Sequence, residues 1–457
     1  MGNGRLIGSL DAKSGCAMRE YDAVVLGGGP AGSTVATLLA QAGQDVVVLE
    51  KEHFPRYHIG ESLLPATVAI WERLGVHEQV REASIRKPGG KWLYGRGEVP
   101  GDFSNSDTKA SFKQTPYSYL VERSTFDEIL LNRSAECGAD VRFGHTVRDL
   151  ITDEDRVVGV RAADDFGTEK EFRGRLVFDA TGLRAVVGSR LGIREPTTTQ
   201  RMGVYAQYKA KTLREDANDG WFVGQMFYNG WTWMLNLPGG EVSVGVVLPV
   251  ARFKELKTTP EELMERMMRD NELLSEGLEN PVRSGPVRVT GNMGNSCTKL
   301  VGDGWVMVGD AAFFIDPCYS SGVHVAMVSG EKAADMFLSA PREVAVEPTA
   351  FTDYEDKLRH HQKYVTKMVD SFYLASRNTS LQKLILKMQG GFFTRKFVTF
   401  VGGDFAMNAS YIGRVNAYSK FFNWLLPNNQ SKPENQPSYP LDIPRVEQPA
   451  ESVSEAA

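Results

Sequence analysis

The first clear pattern of hydrophobic positions is an apolar, β-branched run from Ala23 to Leu26, which ends in a glycine-rich segment. Apolar residues then recur at helical spacing as far as Ala42. A second, mostly apolar run from Asp45 to Leu49 follows, and Glu50 comes directly after it. Short apolar runs on either side of a helical stretch are typical of neighbouring parallel strands. The pattern therefore predicts a strand, a helix and a strand at the start of the fold.

Two later apolar runs predict buried strands that each end in a small polar segment. Arg175 to Phe178 leads into Asp179-Ala180-Thr181-Gly182, and Gly304 to Val308 leads into Gly309-Asp310-Ala311-Ala312. The stretch between them contains alternating segments at 204–208, 222–228, 231–237 and 242–248, the pattern of an antiparallel sheet with one buried face. We therefore expect a middle domain inserted into a discontinuous α/β domain.

The patterns together predict an α/β fold with a Rossmann-type nucleotide-binding domain, an inserted and mostly antiparallel β-sheet domain, and a helical C-terminal extension. The predicted parts are a flexible leader (1–18), the nucleotide-binding domain (19–100, 119–194 and 286–345), the substrate domain (101–118 and 195–285), the helical region (346–427) and a disordered tail (428–457). The tail is assigned by its Pro, Gln, Ser and Glu content.

Charge and cysteine content exclude several classes of function. The 457 residues include 52 Lys or Arg and 57 Asp or Glu, so a net charge of −5 argues against a nucleic-acid partner. The cysteines at positions 16, 137, 297 and 318 form no CxxC pair, which argues against a metal site or a disulfide framework. No apolar stretch is long enough for an integral membrane segment, and we expect a cytoplasmic protein.

The first glycine-rich segment carries the spacing of a dinucleotide-binding turn. Gly27, Gly29 and Gly32 would allow a tight turn and a close approach of backbone N–H groups to a pyrophosphate, and Glu50 would accept ribose hydroxyls. Pro30, Ala31 and Ser33 complete the segment. Asp310 could bind the ribitol of a flavin that lies extended across the domain, which favours FAD over a nicotinamide nucleotide.

Several further segments carry a family resemblance. They are the Gly-rich turn with Pro30-Ala31-Gly32-Ser33, the segment from Phe54-Pro55-Arg56 to Gly60-Glu61-Ser62-Leu63, Asp179-Ala180-Thr181-Gly182, and the segment from Gly309-Asp310 to Ser320-Ser321-Gly322. Over about residues 19 to 340 the chain resembles the flavin-dependent halogenases. The similarity is greatest to the branch acting on phenols and pyrroles, within the wider group of FAD monooxygenases and geranylgeranyl reductases.

This resemblance implies a set of cofactor and halide residues. It adds Lys51, Arg56, Glu61, Ser62, Arg123, Gly322 and Val323 to the flavin site, and it places a halide ion, chloride or bromide, at Ser321 and Gly322. Free N–H groups at the start of a helix suit either the halide or the pyrimidine edge of the flavin. No second glycine fingerprint is present for NAD(P)H, so a separate flavin reductase is expected to supply reduced FAD.

Lys87 is the candidate catalytic residue. The resemblance places here the lysine that directs hypohalous acid or holds it as a haloamine, and partial desolvation would lower its pKa and raise its nucleophilicity. The alternative interpretation is a surface lysine beside a Pro-Gly turn. Lys91, four residues later, is the competing candidate.

Three aromatic residues are predicted on the substrate side. Trp231 and Trp233 match a Trp-x-Trp-x-Ile-Pro strand that keeps substrate away from the flavin, although Asn236 stands where proline is expected. Two tryptophans one residue apart point to the same face of a strand and could equally form a core ledge. Tyr319 replaces a glutamate of the tryptophan halogenases, which points away from free tryptophan as substrate.

The predicted function is halogenation of an electron-rich aromatic, free or tethered to an acyl or peptidyl carrier protein. A monooxygenase that uses NAD(P)H directly and a prenyl-chain reductase are the enzymatic alternatives, and a flavin-binding sensor or scaffold is the non-enzymatic one. The substrate, the preferred halide and the oligomeric state are not determined by the sequence.

Overall fold

The computed structural model describes residues 19–94, 97–108, 110–195, 200–291, 293–387 and 392–403. The predicted leader (1–18), the predicted tail (428–457) and the last part of the predicted helical region lie outside the described residues. The strands are β1 (Glu20–Leu26), β2 (Val46–Leu49), β3 (Ser84–Lys87), β4 (Gly89–Tyr94), β5 (Gly97–Asp102), β6 (Ser118–Val121), β7 (Asp140–Arg142), β8 (Thr146–Asp153), β9 (Arg156–Ala163), β10 (Glu169–Asp179), β11 (Arg194–Glu195), β12 (Arg201–Lys209), β13 (Thr212–Leu213), β14 (Phe222–Phe227), β15 (Gly230–Asn236), β16 (Val242–Pro249), β17 (Leu278–Glu279), β18 (Val282–Arg283), β19 (Arg288–Thr290), β20 (Asn295–Cys297), β21 (Val301–Gly302), β22 (Trp305–Met307) and β23 (Phe313–Phe314).

The α-helices flank these strands and dominate the end of the described chain. They are α1 (Pro30–Gln41), α2 (Val68–Leu74), α3 (His77–Glu82), α4 (Arg123–Glu136), α5 (Val186–Arg190), α6 (Glu215–Asn218), α7 (Val250–Leu256), α8 (Pro260–Asp270), α9 (Glu272–Gly277), α10 (Gly322–Ser339), α11 (Thr352–Ser376), α12 (Thr379–Lys387) and α13 (Phe392–Val401).

The first sheet has the strand order β21-β22-β10-β1-β2-β7, and the pairs from β22 to β7 are parallel. Its central strands are buried, and α1 packs against both α10 and α4. Strands buried on both faces are continuous apolar runs rather than alternating ones. This is the predicted Rossmann-type domain, and its carboxyl edge brings together the ends of β1, β2, β10 and β22, although they are distant in sequence.

The second sheet has the order β18-β12-β16-β15-β14-β4-β5 and is antiparallel except where β14 pairs with β4. The four alternating segments of the sequence form β12, β14, β15 and β16, which confirms the predicted architecture. The predicted boundary differs, however, because β4 and β5 belong to this sheet and not to the nucleotide-binding domain. The segment 97–102 contains glycine and proline and lacks a hydrophobic alternation that would have indicated a sheet strand.

The C-terminal helices cover the junction of the two sheets. Val365, Val369 and Phe372 on α11 belong to a hydrophobic cluster that also contains Trp92 and Trp231 of the second sheet. Both α12 and α13 contact β5. Within the described residues, no helix is long and apolar enough to cross a membrane.

Candidate active site

The glycine-rich turn between β1 and α1 has the shape of a phosphate-binding loop. A Cβ atom on Gly32 would overlap the carbonyl oxygen of Gly27, and one on Gly27, where φ is +98°, would lie 2.6 Å from the carbonyl oxygen of Ala180. Both positions therefore require glycine. A Cβ on Gly29 would meet only the Arg56 guanidinium, at 3.7 Å, so its backbone borders open space. This cradle fits a pyrophosphate.

The start of α1 adds donors and positive charge to this cradle. Pro30 is the first helical residue, and the N–H groups of Ala31 and Gly32 in the first turn have no intrahelical acceptor. The Arg56 guanidinium lies beside the turn and is held there by the buried carboxylate of Asp127 at 3.1 Å. An anion at this helix end would meet free N–H groups, the helix dipole and a guanidinium.

Glu50 and Ser33 hold the loop in place. The carboxylate of Glu50, buried after β2, accepts the N–H of Gly28 at 2.7 Å and of Glu52 at 2.8 Å. The buried Ser33 hydroxyl donates to the carbonyl of Gly28 at 2.9 Å and so closes the loop, and its predicted cofactor contact stays a prediction. Each oxygen of Glu50 keeps a second lone pair for a ribose hydroxyl, which remains a prediction. Lys51 is exposed and pairs with Glu52 at 3.1 Å.

Asp310 lies at the carboxyl edge of the same sheet, directly after β22. Burial raises the pKa of its carboxyl to about 7, and the positive charge of Arg123 partly opposes this shift. Among the described residues, no side chain or backbone group hydrogen-bonds to this carboxyl or forms an ion pair with it. A poorly solvated carboxyl that lacks a protein donor fits a ligand hydroxyl such as those of the flavin ribitol.

Arg123 is held by groups of the protein itself, and its predicted contact with the flavin stays a prediction. Its guanidinium binds both oxygens of Asp127, at 2.7 and 2.9 Å, and donates to the carbonyl of Ile59 at 2.7 Å. Four of its five N–H groups are used when its longer contact to Gly60 at 3.4 Å is included. Arg123 is therefore mainly a buried clamp that fastens the segment before Glu61 to α4, and an ion pair was the alternative that the sequence left open.

The Gly60-Glu61-Ser62 segment joins the two halves of the site. Ser320, in a left-handed conformation just before α10, donates its hydroxyl to Ser62 at 3.0 Å. Glu61 is buried against the second sheet, and burial raises its pKa to about 7 although Ser243 and Arg123 act in the opposite direction. Its Oε2 atom has no hydrogen-bond partner in the described part of the chain. The segment therefore presents an unsatisfied carboxyl oxygen between the domains.

The start of α10 has the geometry of a weak anion site. Ser321 is the N-cap residue and makes no side-chain cap hydrogen bond, and the N–H groups of Gly322 and Val323 have no intrahelical acceptor. A Cβ on Gly322 would approach the ring of Phe314 to 3.3 Å. The next residue, His324, is buried and its Nδ1 lies 3.0 Å from the Thr67 hydroxyl, so it is a structural histidine.

Lys87 is buried at the end of β3, with 3% of the residue exposed. Its Nζ donates to the carbonyl of Leu63 at 2.9 Å and lies 5.2 Å from the ring centroid of Phe103. No carboxylate among the described residues forms an ion pair with it, and burial lowers its pKa from 10.5 to about 7. Burial therefore favours the uncharged amine, which carries a nucleophilic lone pair.

Lys91 is clearly different from Lys87. It lies on β4, where its Nζ pairs with Asp216 at 3.2 Å and Glu98 at 3.8 Å, and its side chain is partly exposed. An ion-paired ammonium has its lone pair protonated and is a poor nucleophile. Of the two candidates, only Lys87 has the environment that amine chemistry needs.

The two tryptophans lie side by side on β15, with ring centroids 5.5 Å apart, and both are buried. The indole N–H of Trp233 donates to Ser243 at 3.1 Å, and that of Trp231 donates to Tyr373 at 3.1 Å. Asn236, which replaces the expected proline, is the last residue of β15 and lies beyond both tryptophans. The departure from the family pattern therefore leaves the tryptophan pair intact.

Tyr319 is buried below the covering helices. Its hydroxyl donates to the carbonyl of Met368 at 3.2 Å, and its ring contacts Phe372, Phe397 and Phe400. These ring contacts join the loop before α10 to α11 and α13.

A buried polar cluster next to Tyr319 could not be found from sequence reasoning. The Tyr373 hydroxyl donates to Asp316 at 2.8 Å, and the Arg201 guanidinium carbon lies 3.4 Å from the Tyr373 ring centroid. Asp316 also accepts the N–H of Cys318 at 3.0 Å and so shapes the loop before α10. The only sequence signal was the Asp-Pro pair at the start of that loop; its partners come from β12, β15 and α11.

Comparison with known proteins identifies the family. The model of the FAD binding domain family matches residues 20–367. The chain belongs to this FAD-binding family. It is 29% identical over 378 residues to the 1H-pyrrole-2-carbonyl peptidyl-carrier-protein chlorinase of Pseudomonas fluorescens, a match that spans 78% of this chain and 84% of that protein.

Two further proteins are similar to the chain. Digeranylgeranylglycerophospholipid reductase 2 of Methanopyrus kandleri is 30% identical over 358 residues, which cover 74% of this chain and 82% of that protein. The structure of the myxobacterial chondrochloren halogenase CndH superposes with a TM-score of 0.70 at 26% identity and covers 88% of this chain and 98% of that one. The resemblance to flavin-dependent halogenases and the FAD cofactor are confirmed, and the chain is an FAD-dependent enzyme of this type.

Proposed function

We propose that the protein halogenates an electron-rich aromatic ring of the phenol or pyrrole type. It would use reduced FAD, oxygen and chloride or bromide. The observation that carries this proposal is the environment of Lys87, a buried amine that has no carboxylate partner in the described part of the chain and a pKa of about 7. A structural lysine would be expected to pair with an acid or to reach solvent, as Lys91 does.

The residues that would hold FAD are those of the cradle and of the sheet edge. The N–H groups at the start of α1 and the Arg56 guanidinium would bind the pyrophosphate, Glu50 the ribose and Asp310 the ribitol. Bound FAD supplies the redox chemistry, in which its reduced form and oxygen oxidise a halide to hypohalous acid. Because the chain has no second dinucleotide fingerprint, a separate flavin reductase would deliver the reduced cofactor.

The halide would bind at the N-terminus of α10. The free N–H groups of Gly322 and Val323 offer hydrogen bonds and the positive end of the helix dipole, and the uncapped Ser321 leaves them accessible. The Phe314 ring closes one side at Gly322 and limits the space to a small ligand.

Lys87 would then receive the oxidised halogen. Its neutral amine can hydrogen-bond hypohalous acid or react with it, releasing water and holding the halogen on nitrogen. Transfer to an aromatic carbon would return the amine, and the ring would lose a proton. The buried pair Trp231 and Trp233 would separate the aromatic substrate from the flavin, and Tyr319 would line the substrate side.

The chlorinase relative acts on a pyrrole group attached to a peptidyl carrier protein. This relative supports a pyrrole or similar ring as substrate, delivered as a small molecule or on a carrier protein. A prenyl-chain reductase is a second candidate because digeranylgeranylglycerophospholipid reductase 2 is 30% identical to this chain over 82% of its own length. A buried amine that forms no ion pair within the described residues has no evident task in reduction of a double bond, and this favours halogenation.

A single reconstitution separates these functions. The purified chain is combined with FAD, a generic flavin reductase, NADH, bromide and a panel of phenols and pyrroles, and products are read by mass and bromine isotope pattern. We expect brominated product that requires bromide, oxygen and the reductase. Oxygenated product formed with NADPH and no reductase would instead establish a monooxygenase, and saturation of a prenyl chain without oxygen would establish a reductase.

A further inference from the structure

The two helices that follow α11 have an unusual charge pattern. Between residues 377 and 403 the chain contains five Lys or Arg residues and no Asp or Glu, although its net charge is −5. Lys383, Lys387 and Arg395 are exposed, and no ion pair joins them to another residue within the described ranges. We call these three residues the basic surface. The other two cations are engaged, Arg377 with Asn229 and Lys396 with Asp107.

The three cations lie on two neighbouring helices that contact the same strand. A Cβ on Gly97 of β5 would lie 2.7 Å from Leu386 of α12, and one on Gly101 would lie 4.0 Å from Val398 of α13. Four residues along a strand span about 13 Å, so the two helices cross β5 side by side. Lys383 and Lys387 are one turn apart on α12 and share its outer face.

These helices cover the wall of the candidate active site. Beyond its last residue, β5 leads directly into Phe103, whose ring packs against the Lys87 amine. Thr399 on α13 accepts the N–H of Asp107 at 2.6 Å and so fastens the helix to the same segment. The helices that carry the basic surface are thus joined to the segment that contains Phe103.

We propose that the basic surface docks the acidic face of a carrier protein that presents the aromatic substrate as a thioester. The inference rests on the proposed function and names its partner and the place of contact. A chain of net charge −5 repels an acidic protein over most of its surface, and exposed cations that have no ion-pair partner among the described residues would fix where that protein binds. The helices that carry them contact β5, the strand that leads into Phe103 beside Lys87.

The test uses two triple variants of the full-length chain. K383E/K387E/R395E reverses the basic surface, and K254E/K257E/K299E reverses three exposed lysines outside α12 and α13 as a matched control. The probe is a peptidyl carrier protein that bears pyrrole-2-carboxylate on its 4′-phosphopantetheine arm. Its affinity is measured by fluorescence anisotropy at low and high salt, with FAD content and thermal unfolding recorded for every variant.

We expect wild-type binding that weakens with salt and a loss of at least about tenfold in affinity for the first variant at low salt. The control should stay within about twofold, and FAD content should be unchanged in both. Equal affinity of the two triple variants would overturn the docking proposal. The proposal also fails if the carrier does not bind and phosphatidylglycerol vesicles bind through the three residues instead.

Bromination of free phenols and pyrroles separates the two proposals. If the protein brominates free substrates and does not bind the carrier protein, the proposed function is supported and the docking proposal is overturned. If the protein binds the carrier through the basic surface and forms no halogenated product, the docking proposal is supported and the proposed function is overturned.

Discussion

Replacing Lys87 with methionine should make the protein more stable at neutral pH. Methionine keeps an unbranched apolar stem and removes the amine. In the unfolded chain this lysine titrates near its ordinary pKa of 10.5, whereas burial lowers the folded value to about 7. Between these values the unfolded state binds a proton that the folded state does not, so the buried amine opposes folding.

The sign and size follow from the two pKa values of Lys87. The free-energy cost of burying the Lys87 amine is absent above pH 10.5, grows as the pH falls, and levels off below about pH 7. One pKa unit corresponds to about 1.36 kcal/mol, so the cost at pH 7 is about 4 kcal/mol, and it grows by about 2 kcal/mol between pH 9 and pH 7. Packing changes and the lost hydrogen bond to Leu63 alter the unfolding free energy equally at both pH values, so they cancel in the difference between pH 7 and pH 9.

The assay is urea unfolding of the FAD-loaded protein at pH 7 and pH 9. The gain in unfolding free energy of Lys87→Met over wild type should be about 2 kcal/mol larger at pH 7 than at pH 9. Lys91→Met removes a partly buried ion pair with Asp216, which keeps Arg214 as a partner, and should lose about 1 kcal/mol at both values. An equal gain for Lys87→Met at both pH values would refute the reasoning, because the folded protein would then keep the amine charged.

Three further outcomes test other parts of the site. Gly32→Ala places a methyl group on the backbone of the phosphate loop and should give protein without the flavin absorbance at neutral pH, whereas Gly291→Ala, with open space around it, should remain yellow. Asp310→Asn keeps the shape of the side chain and should weaken FAD binding by about tenfold, measured by flavin fluorescence titration; unchanged affinity would remove it from the site. Tyr373→Phe removes the hydroxyl that binds the buried indole N–H of Trp231 and the buried carboxylate of Asp316. It should lower the unfolding free energy by about 1 to 3 kcal/mol. Tyr354→Phe, which loses one bond to a backbone carbonyl, should lose less in the same denaturation series, and the reverse order would contradict the assignment.

The sequence contained the parts of the fold that depend on local pattern. The Gly27 to Gly32 spacing between two apolar runs predicted the first strand, helix and strand, because tight turns and buried parallel strands restrict residue type strongly. The partners of β4 and β5 were not predictable in this way. Strand pairing across the second sheet depends on long-range contacts, which cannot be predicted from the residues of short, glycine-containing segments.

The candidate site divides along the same line. Lysines are rarely buried, so residue type alone favoured the surface interpretation of Lys87, and its burial depends on Leu63 and Phe103 from other segments. The sequence predicted that Arg123 contacts the flavin, and an ion pair was only the alternative. Its pairing with Asp127 could be seen only once the positions of both side chains were known.

The most direct test of the account is bromination by the Lys87→Met and Lys91→Met variants, with FAD content measured in the same samples. We predict that both variants bind FAD and consume reduced flavin as the wild type does. Lys91→Met should form brominated product at about the wild-type rate, and Lys87→Met should form none. Product formation by Lys87→Met at the wild-type rate would contradict the central claim that the buried amine carries the halogen to the substrate.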